Sequence, residues 1–177
     1  MEIIDLKKFD ENFKKILEEI QSEVDKINLD EMPLCEFKLS EYEKLDTFSS
    51  TTKEGIYIFY IQKKSLDKFK ENWNSAKIEK ASPTIMNGRI ESYEEKEEEW
   101  IPLYIGKSKT IKKRITEHIT LKKESTTSSM KLQERKEFEN DMFAVRIIPL
   151  KTDYYDIIAH YIESVLRDKI KPIVGKK

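Results

Sequence analysis

The chain has 177 residues, of which 38% are hydrophobic and 38% charged, and its formal net charge is -1. This length predicts one compact domain with an appendage, and the near-neutral total means that any affinity for nucleic acid must come from a local basic face. The single cysteine, Cys35, excludes an internal disulfide and a cysteine-based zinc cluster. We expect a cytoplasmic chain with no membrane association, because a lone thiol fits a reducing compartment and no apolar run approaches the roughly 18 residues that span a bilayer.

The first 53 residues are predicted to form a helical extension. Apolar side chains recur at steps of three and four from Leu6 to Ile27, which predicts an amphipathic helix over roughly residues 3 to 28. This helix either packs on its own domain, which the shortness of the repeat favours, or pairs with a second copy in a homodimer. Pro33 ends the unit, and residues 34 to 53 are interpreted as a connection with a short helix or strand.

Two strands are predicted on either side of an insertion. The first, Gly55 to Ile61, reads GIYIFYI and is β-branched and aromatic throughout. The second runs from Ile101 to Ile105, where strict alternation would place Leu103 and Ile105 on one face and Tyr104 on the other.

The insertion itself covers residues 63 to 99. The spacing of Phe69 and Trp73 predicts a helix near its start, and Asn87-Gly88 is a hairpin-turn signal. The acidic run over residues 94 to 99 is typical of a solvated loop.

The remainder of the chain predicts helix, strand and helix. A helix over residues 109 to 122 carries an isoleucine stripe, and Ser108 is a candidate cap. A third strand covers residues 143 to 150, and a last helix runs from 154 to 170 and ends before Pro172.

The order strand, strand, helix, strand, helix after residue 54 resembles that of the GIY-YIG nuclease superfamily. The two name-giving blocks are Gly55-Ile56-Tyr57 and Tyr104-Ile105-Gly106. Further family positions follow in order, namely Lys107, Arg114, His118, Glu163 and Pro172. The resemblance implies an α+β fold in which a small three-stranded antiparallel sheet is flanked by helices, with residues 54–177 as the nuclease-like domain, and it implies a metal-dependent endonuclease that hydrolyses DNA.

The resemblance also implies a role for each matched residue. The catalytic set is Tyr57, Tyr104, Arg114, His118 and Glu163. Glu163 would be the one metal ligand, which suits Mg²⁺ (or Mn²⁺) because magnesium keeps most of its waters. Arg114 would hold a phosphate oxygen, with Lys107 and His118 adding charge or hydrogen bonds there. One tyrosine would relay a proton from the attacking water, with a slight preference for Tyr104 over Tyr57.

A basic run beside the candidate site predicts where DNA binds, although RNA remains an alternative. It comprises Lys107, Lys109, Lys112, Lys113 and Arg114. Lysines and arginines grouped on one helix can follow a phosphate backbone even when the whole chain is near neutral.

Ordinary structural readings exist for the same residues. The tyrosines could pack across a sheet, Arg114 and His118 could lie on a solvated helix flank, and Glu163 with Arg167 could be a surface ion pair.

Two departures from the family pattern keep other functions open. Gly175 stands where many relatives have an asparagine, and 46 residues separate Tyr57 from Tyr104. The alternatives are a nucleic-acid-binding module of the same fold with weakened catalysis, and a partner-binding protein that uses the N-terminal helix.

Overall fold

A computed structural model describes residues 6–44, 54–78 and 81–175. The helices and strands are, in chain order, α1 (Lys7–Asp25), β1 (Cys35–Lys38), β2 (Gly55–Gln62), α2 (Phe69–Ser75), β3 (Thr84–Ile85), α3 (Glu91–Glu94), β4 (Trp100–Ser108), α4 (Ile111–Thr120), β5 (Met142–Pro149), α5 (Tyr155–Ile170) and β6 (Val174–Gly175). The α+β class is as predicted. None of the helices in these ranges is long and apolar enough to cross a membrane.

The main sheet has four antiparallel strands rather than the expected three, in the order β1-β5-β2-β4. The additional strand, β1, comes from the N-terminal segment and pairs with β5. Phe37 of β1 is buried and stacks on Phe143 with ring centroids 5.9 Å apart. The expected helical extension therefore also supplies an edge strand, which the family resemblance could not reveal because β1 precedes the resembling region.

The pairing of β2 with β4 is interrupted by a bulge. Phe59 lies opposite Tyr104, but Tyr60 lies opposite Pro102, so Leu103 is the extra residue on β4. Because of this bulge, Leu103 and Tyr104 both pack into the core on the α4 side of the sheet, while Ile105 packs into the core on the α5 side. The prediction that Leu103 and Ile105 share a face is wrong.

Two hydrophobic cores cover the two faces of this sheet. One contains the isoleucine stripe of α4 together with α2, whose predicted helix is confirmed by the buried Phe69 and Trp73. The other contains the inner face of α5 and, through Val24, the C-terminal half of α1. Residues 3–5 of the helix predicted over 3 to 28 lie outside the described residues.

The insertion is tied to the C-terminal end of the chain. Asn87-Gly88 does not make a local hairpin, because β3 pairs with β6 instead. The Met86 N–H donates to the carbonyl of Ile173, and the Ile173 N–H donates to the carbonyl of Pro102, both at 2.9 Å. These bonds bring the chain after α5 to the outer edge of β4.

Candidate active site

A groove of about 430 Å³ lies beside the edge strand β4. Its side chains come from β2, β4, α4 and α5, with β6 at one end. The residues that line it include Tyr57, Tyr104, Lys107, Arg114, His160, Glu163, Arg167 and Gly175. The structure thus brings together five of the residues selected from the sequence. The two that are farthest apart in the chain, Tyr57 and Glu163, are separated by 106 positions.

The two tyrosines lie side by side in one wall of the groove. Their ring centroids are 6.4 Å apart, and both side chains are largely buried. Gly106 lies opposite Tyr57 in the sheet, and a Cβ atom at this glycine would lie 2.3 Å from the Tyr57 hydroxyl oxygen. A glycine is therefore required at position 106 because the phenol ring occupies the space that any side chain would need.

His118 lies beneath Tyr57 and not on the groove wall. Its side chain is fully buried, so the interpretation of a solvated flank is wrong for this residue. Its Nδ1 accepts a hydrogen bond from the Met130 N–H at 3.1 Å, and its Nε2 lies 2.9 Å from the Tyr57 hydroxyl oxygen. A neutral imidazole with an accepting Nδ1 carries its proton on Nε2, so His118 donates to the Tyr57 oxygen.

Burial sets the protonation of these groups. It lowers the pKa of His118 well below 6.5, and the Arg114 charge lowers it further. Burial likewise raises the pKa of Tyr57 far above its ordinary value and raises that of Tyr104, while the Arg114 cation opposes both shifts. At neutral pH the imidazole is therefore uncharged and both phenols are protonated.

Arg114 is held in place by two protein acceptors. One terminal nitrogen donates to Glu117 at 2.8 Å, and the other donates to the carbonyl of Ser128. These bonds fix the guanidinium on the groove wall beside Tyr57. A guanidinium has five N–H donors, so the tether is compatible with a phosphate oxygen as an additional partner.

Glu163 lies at the other wall, on α5, with only 8% of its surface exposed. One carboxylate oxygen accepts from Lys107 at 2.7 Å, and the other accepts from Arg167. The ion pair with Arg167 considered from the sequence is present, but the carboxylate is buried and faces the groove. A surface ion pair is therefore an incomplete description of Glu163.

His160 is a groove residue that was not among the site residues selected from the sequence. Its Nδ1 accepts a hydrogen bond from the Lys107 amine at 3.1 Å, one helical turn before Glu163 on α5. Lys107 therefore bridges His160 and Glu163. The three-residue spacing from His160 to Glu163 was the available sequence signal, since residues three apart on a helix share a face.

The comparisons with known proteins give one family match. Residues 55–133 match the model of the GIY-YIG catalytic domain. Within these bounds, the chain has a GIY-YIG domain. The matched segment contains Tyr57, Tyr104, Arg114 and His118, while Glu163 lies beyond it. No curated protein and no solved structure matches the chain.

The GIY-YIG groove offers one acidic ligand for a metal ion. Within residues 6–44, 54–78 and 81–175, no group of three or more histidine, cysteine or acidic side chains could hold a metal. A carboxylate has about four lone-pair positions, and the bonds to Lys107 and Arg167 use one on each oxygen of Glu163. The donor set therefore fits Mg²⁺, which binds through one or two carboxylates and keeps several waters.

The predicted DNA-binding residues divide into two groups. Lys107 and Arg114 line the groove. Lys109, Lys112 and Lys113 lie outside it on the exposed surface. Lys109 pairs with Asp156 at 2.8 Å and Lys113 with Glu117 at 3.9 Å. Such exposed pairs are worth less than about 1 kcal/mol, so a phosphate could replace them at little cost.

Gly175 lies at the end of the GIY-YIG groove, in the position where an asparagine was expected. A Cβ atom there would meet only Met86, with the sulfur at an ordinary 3.6 Å. Unlike Gly106, this glycine is not required by packing. A Cβ atom at position 175 fits at ordinary contact distances.

Proposed function

We propose that this chain is a divalent-metal-dependent endonuclease that hydrolyses DNA phosphodiester bonds in the GIY-YIG groove. The observation that supports this most strongly is the convergence of Tyr57, Arg114 and Glu163 on one groove. Together they offer a hydroxyl for the attacking water, a fixed cation for the phosphate and a carboxylate for a metal.

The scissile phosphate binds between Arg114 and Lys107. Arg114 is already oriented by Glu117 and Ser128, so little reorganisation is needed when negative charge develops on the phosphate oxygens. Lys107 moves from Glu163 towards the phosphate, or remains shared between them. Lys109 and Lys113 contact neighbouring phosphates of the backbone.

Tyr57, rather than Tyr104, holds the attacking water, and it accepts the proton of that water after its own phenolic proton has passed to solvent. The His118 N–H and the Arg114 cation both stabilise negative charge on the Tyr57 oxygen. Arg114 also lowers the pKa of Tyr104, but the His118 imidazole bonds to the Tyr57 oxygen and packs against the Tyr104 ring, with centroids 4.8 Å apart. His118 therefore acts by positioning Tyr57 and not by touching the phosphate.

Glu163 would hold the metal ion. When bound, a divalent ion lowers the pKa of a water and neutralises charge on the leaving oxygen. Lys107 and Arg167 hold the Glu163 carboxylate in its orientation until then.

A nicking assay on supercoiled plasmid with Mg²⁺, run beside a single-stranded RNA of matched length, tests the proposed activity. The natural chain should cut the plasmid, and Arg114→Ala should cut it about 100-fold more slowly, because a preorganised charge on the phosphate contributes about this much. Lys68→Ala is the matched control, since Lys68 is exposed and outside the groove. Absence of cutting by the natural chain, or equal rates for Arg114→Ala, would contradict the proposal.

The second candidate is a nucleic-acid-binding module without efficient catalysis. It is favoured by the cations that already bond to both oxygens of Glu163 and by Gly175. Salt-sensitive DNA binding with no metal-dependent cleavage would support this alternative.

A further inference from the structure

His160 is a groove residue to which the proposed function gives no role. It lies on α5 one helical turn before Glu163, and its Nδ1 lies 3.1 Å from the Lys107 amine. The same amine donates to Glu163 at 2.7 Å. An ammonium group has only donors, so Nδ1 of His160 is the acceptor and the imidazole is neutral in this arrangement.

The two bonds limit the freedom of the Lys107 amine. A lysine side chain is a flexible four-carbon stem that ends in three N–H donors, and a single bond would still allow the ammonium to turn. His160 and Glu163 lie three positions apart on one face of α5, and together they use two of these donors. The bonds that the described residues make to this amine thus leave its third donor for a phosphate oxygen in the groove.

The two acceptors of this amine differ in charge. Glu163 is the proposed metal ligand, so its bond to Lys107 competes with a divalent cation. The bond to His160 does not compete in this way, and a neutral acceptor holds the ammonium without cancelling its charge. A second carboxylate at position 160 would instead add a negative charge beside the phosphate and weaken the binding of DNA.

The preceding turn of α5 shows the contrast. Asp156, one turn before His160, pairs with Lys109 at 2.8 Å, and both side chains are more than half exposed and lie outside the groove. At this lysine outside the groove, α5 presents a carboxylate. At Lys107 it presents an uncharged nitrogen in addition to Glu163.

We propose that His160 is a positioning residue, whose neutral Nδ1 holds the Lys107 ammonium in place for the scissile phosphate. This inference rests on the proposed function, because it requires that the groove receives a phosphate. His160 acts through Lys107 and does not itself need to touch the DNA.

Three substitutions of nearly the same shape separate hydrogen bonding from charge at position 160. His160→Asn places an uncharged oxygen near the position of Nδ1, His160→Asp places a charged oxygen there, and His160→Leu places neither. The variants are compared in single-turnover cleavage of a DNA duplex with Mg²⁺, and in binding of the same duplex without metal by fluorescence anisotropy. Circular dichroism shows that each variant is folded.

The proposal predicts a different result for each variant. His160→Leu should bind DNA with the natural affinity, because the Lys107 charge remains, but should cleave bound DNA about 10-fold more slowly, near the low end for loss of a hydrogen bond to a charged group. His160→Asn should cleave within about 2-fold of the natural rate, because it retains an acceptor. His160→Asp should bind about 5-fold more weakly at low salt, and this difference should shrink as salt screens the added charge.

Two results of this series would overturn the proposal. His160→Leu could cleave bound DNA at the natural rate, which would show that the bond to Lys107 is not used. Alternatively, His160→Asn could lose as much cleavage as His160→Leu, which would assign the role to Nε2 or to the ring.

NMR of the two imidazole nitrogens of His160 gives a readout that does not depend on cleavage. In the natural chain Nε2 should carry the proton and Nδ1 should resonate as a bonded acceptor. Lys107→Met should move the Nδ1 resonance towards that of an unbonded acceptor, and Lys109→Met, which removes the neighbouring lysine, should not. An unchanged Nδ1 resonance in Lys107→Met would overturn the proposal. If the resonance moves but the natural chain cuts no DNA, the nuclease fails and the contact that holds Lys107 is supported.

Discussion

Gly106 controls the position of Tyr57. Because the ring of Tyr57 fills the space beside this glycine, a methyl group there must push the phenol away from His118 and Arg114. The same argument does not apply to Gly175, where a methyl group meets only the Met86 side chain at ordinary distances. The two glycines therefore make a matched pair for substitution.

We expect Gly106→Ala to lower the free energy of unfolding by about 1–3 kcal/mol, the usual cost of overpacking a core, and to reduce any DNA cleavage strongly. Gly175→Ala should change both by little. Urea denaturation measures the first effect, and a plasmid assay measures the second. Equal behaviour of the two variants would show that the contact between Gly106 and Tyr57 is not restrictive.

His118 makes stability depend on pH. Its folded-state pKa lies well below 6.5, so the unfolded chain takes up a proton near pH 6.5 that the folded chain does not. Stability is therefore unaffected by His118 above that pH and falls as the pH drops below it. The slope approaches about 1.4 kcal/mol per pH unit.

Urea denaturation at about pH 7.0, 6.0 and 5.5 measures this slope, since these values lie on both sides of the ordinary histidine pKa of about 6.5. His118→Gln should be less stable at neutral pH but should lose less stability on acidification. The chain has two histidines, and His160→Gln should retain the natural slope. If the stability of His118→Gln fell with pH as steeply as that of the natural chain, the pH dependence would belong to other groups.

At the scale of elements, the segment between α4 and β5 determines how His118 is held. This segment donates the Met130 N–H to His118 and is anchored by the buried Arg135. Arg135 donates to the carbonyls of Met130 and Trp73 and to the Ser82 hydroxyl. Its guanidinium also lies 3.7 Å from the centre of the Trp73 ring. One arginine thereby links the insertion to the segment that orients His118.

Arg135→Met should lower the free energy of unfolding by about 3 kcal/mol, since it leaves buried carbonyl oxygens without donors. Lys136→Met is the matched control, because the neighbouring Lys136 is exposed, and it should change stability by less than about 0.5 kcal/mol. Urea denaturation at neutral pH compares the two. A loss of stability as small as that of the control would show that Arg135 is not an anchor.

The elements that carry the family blocks were predictable, because their structure follows from local sequence patterns. β2 and β4 are dense in β-branched and aromatic residues, and α4 and α5 show helical periodicity, so their positions follow from short stretches of sequence. The bulge at Leu103 was not predictable, because it depends on how β2 and β4 pair. The pairing of β3 with β6 is similarly invisible locally, since the two strands are far apart in the chain.

The candidate site was predictable by residue type but not by exposure. Tyr57, Arg114 and Glu163 line the groove as proposed from the sequence. His118 is buried because the segment around Met130 covers it, and a polar stretch of sequence gave no sign that it would fold over α4. His160 was not selected from the sequence, because its partner Lys107 lies on another element.

At the scale of the whole molecule, the candidate site residues lie at one edge of the sheet. The chain carries nearly equal numbers of basic and acidic residues, yet Lys107, Arg114 and Arg167 line the groove beside β4. The opposite edge of the sheet is formed by β1. The cations proposed for the phosphate backbone therefore lie at the β4 edge, with Glu163 as the acidic group lining that groove.

The most direct test of the central claim is single-turnover cleavage of an end-labelled DNA duplex with Mg²⁺, with binding measured in the same reactions. The natural chain should cleave bound DNA, and Glu163→Gln should bind it at least as tightly but cleave it about 1,000-fold more slowly, within the range for loss of a group that stabilises the transition state. Glu137→Gln, on the exposed surface outside the groove, should cleave at the natural rate. Undiminished cleavage by Glu163→Gln would contradict a hydrolytic role for the groove.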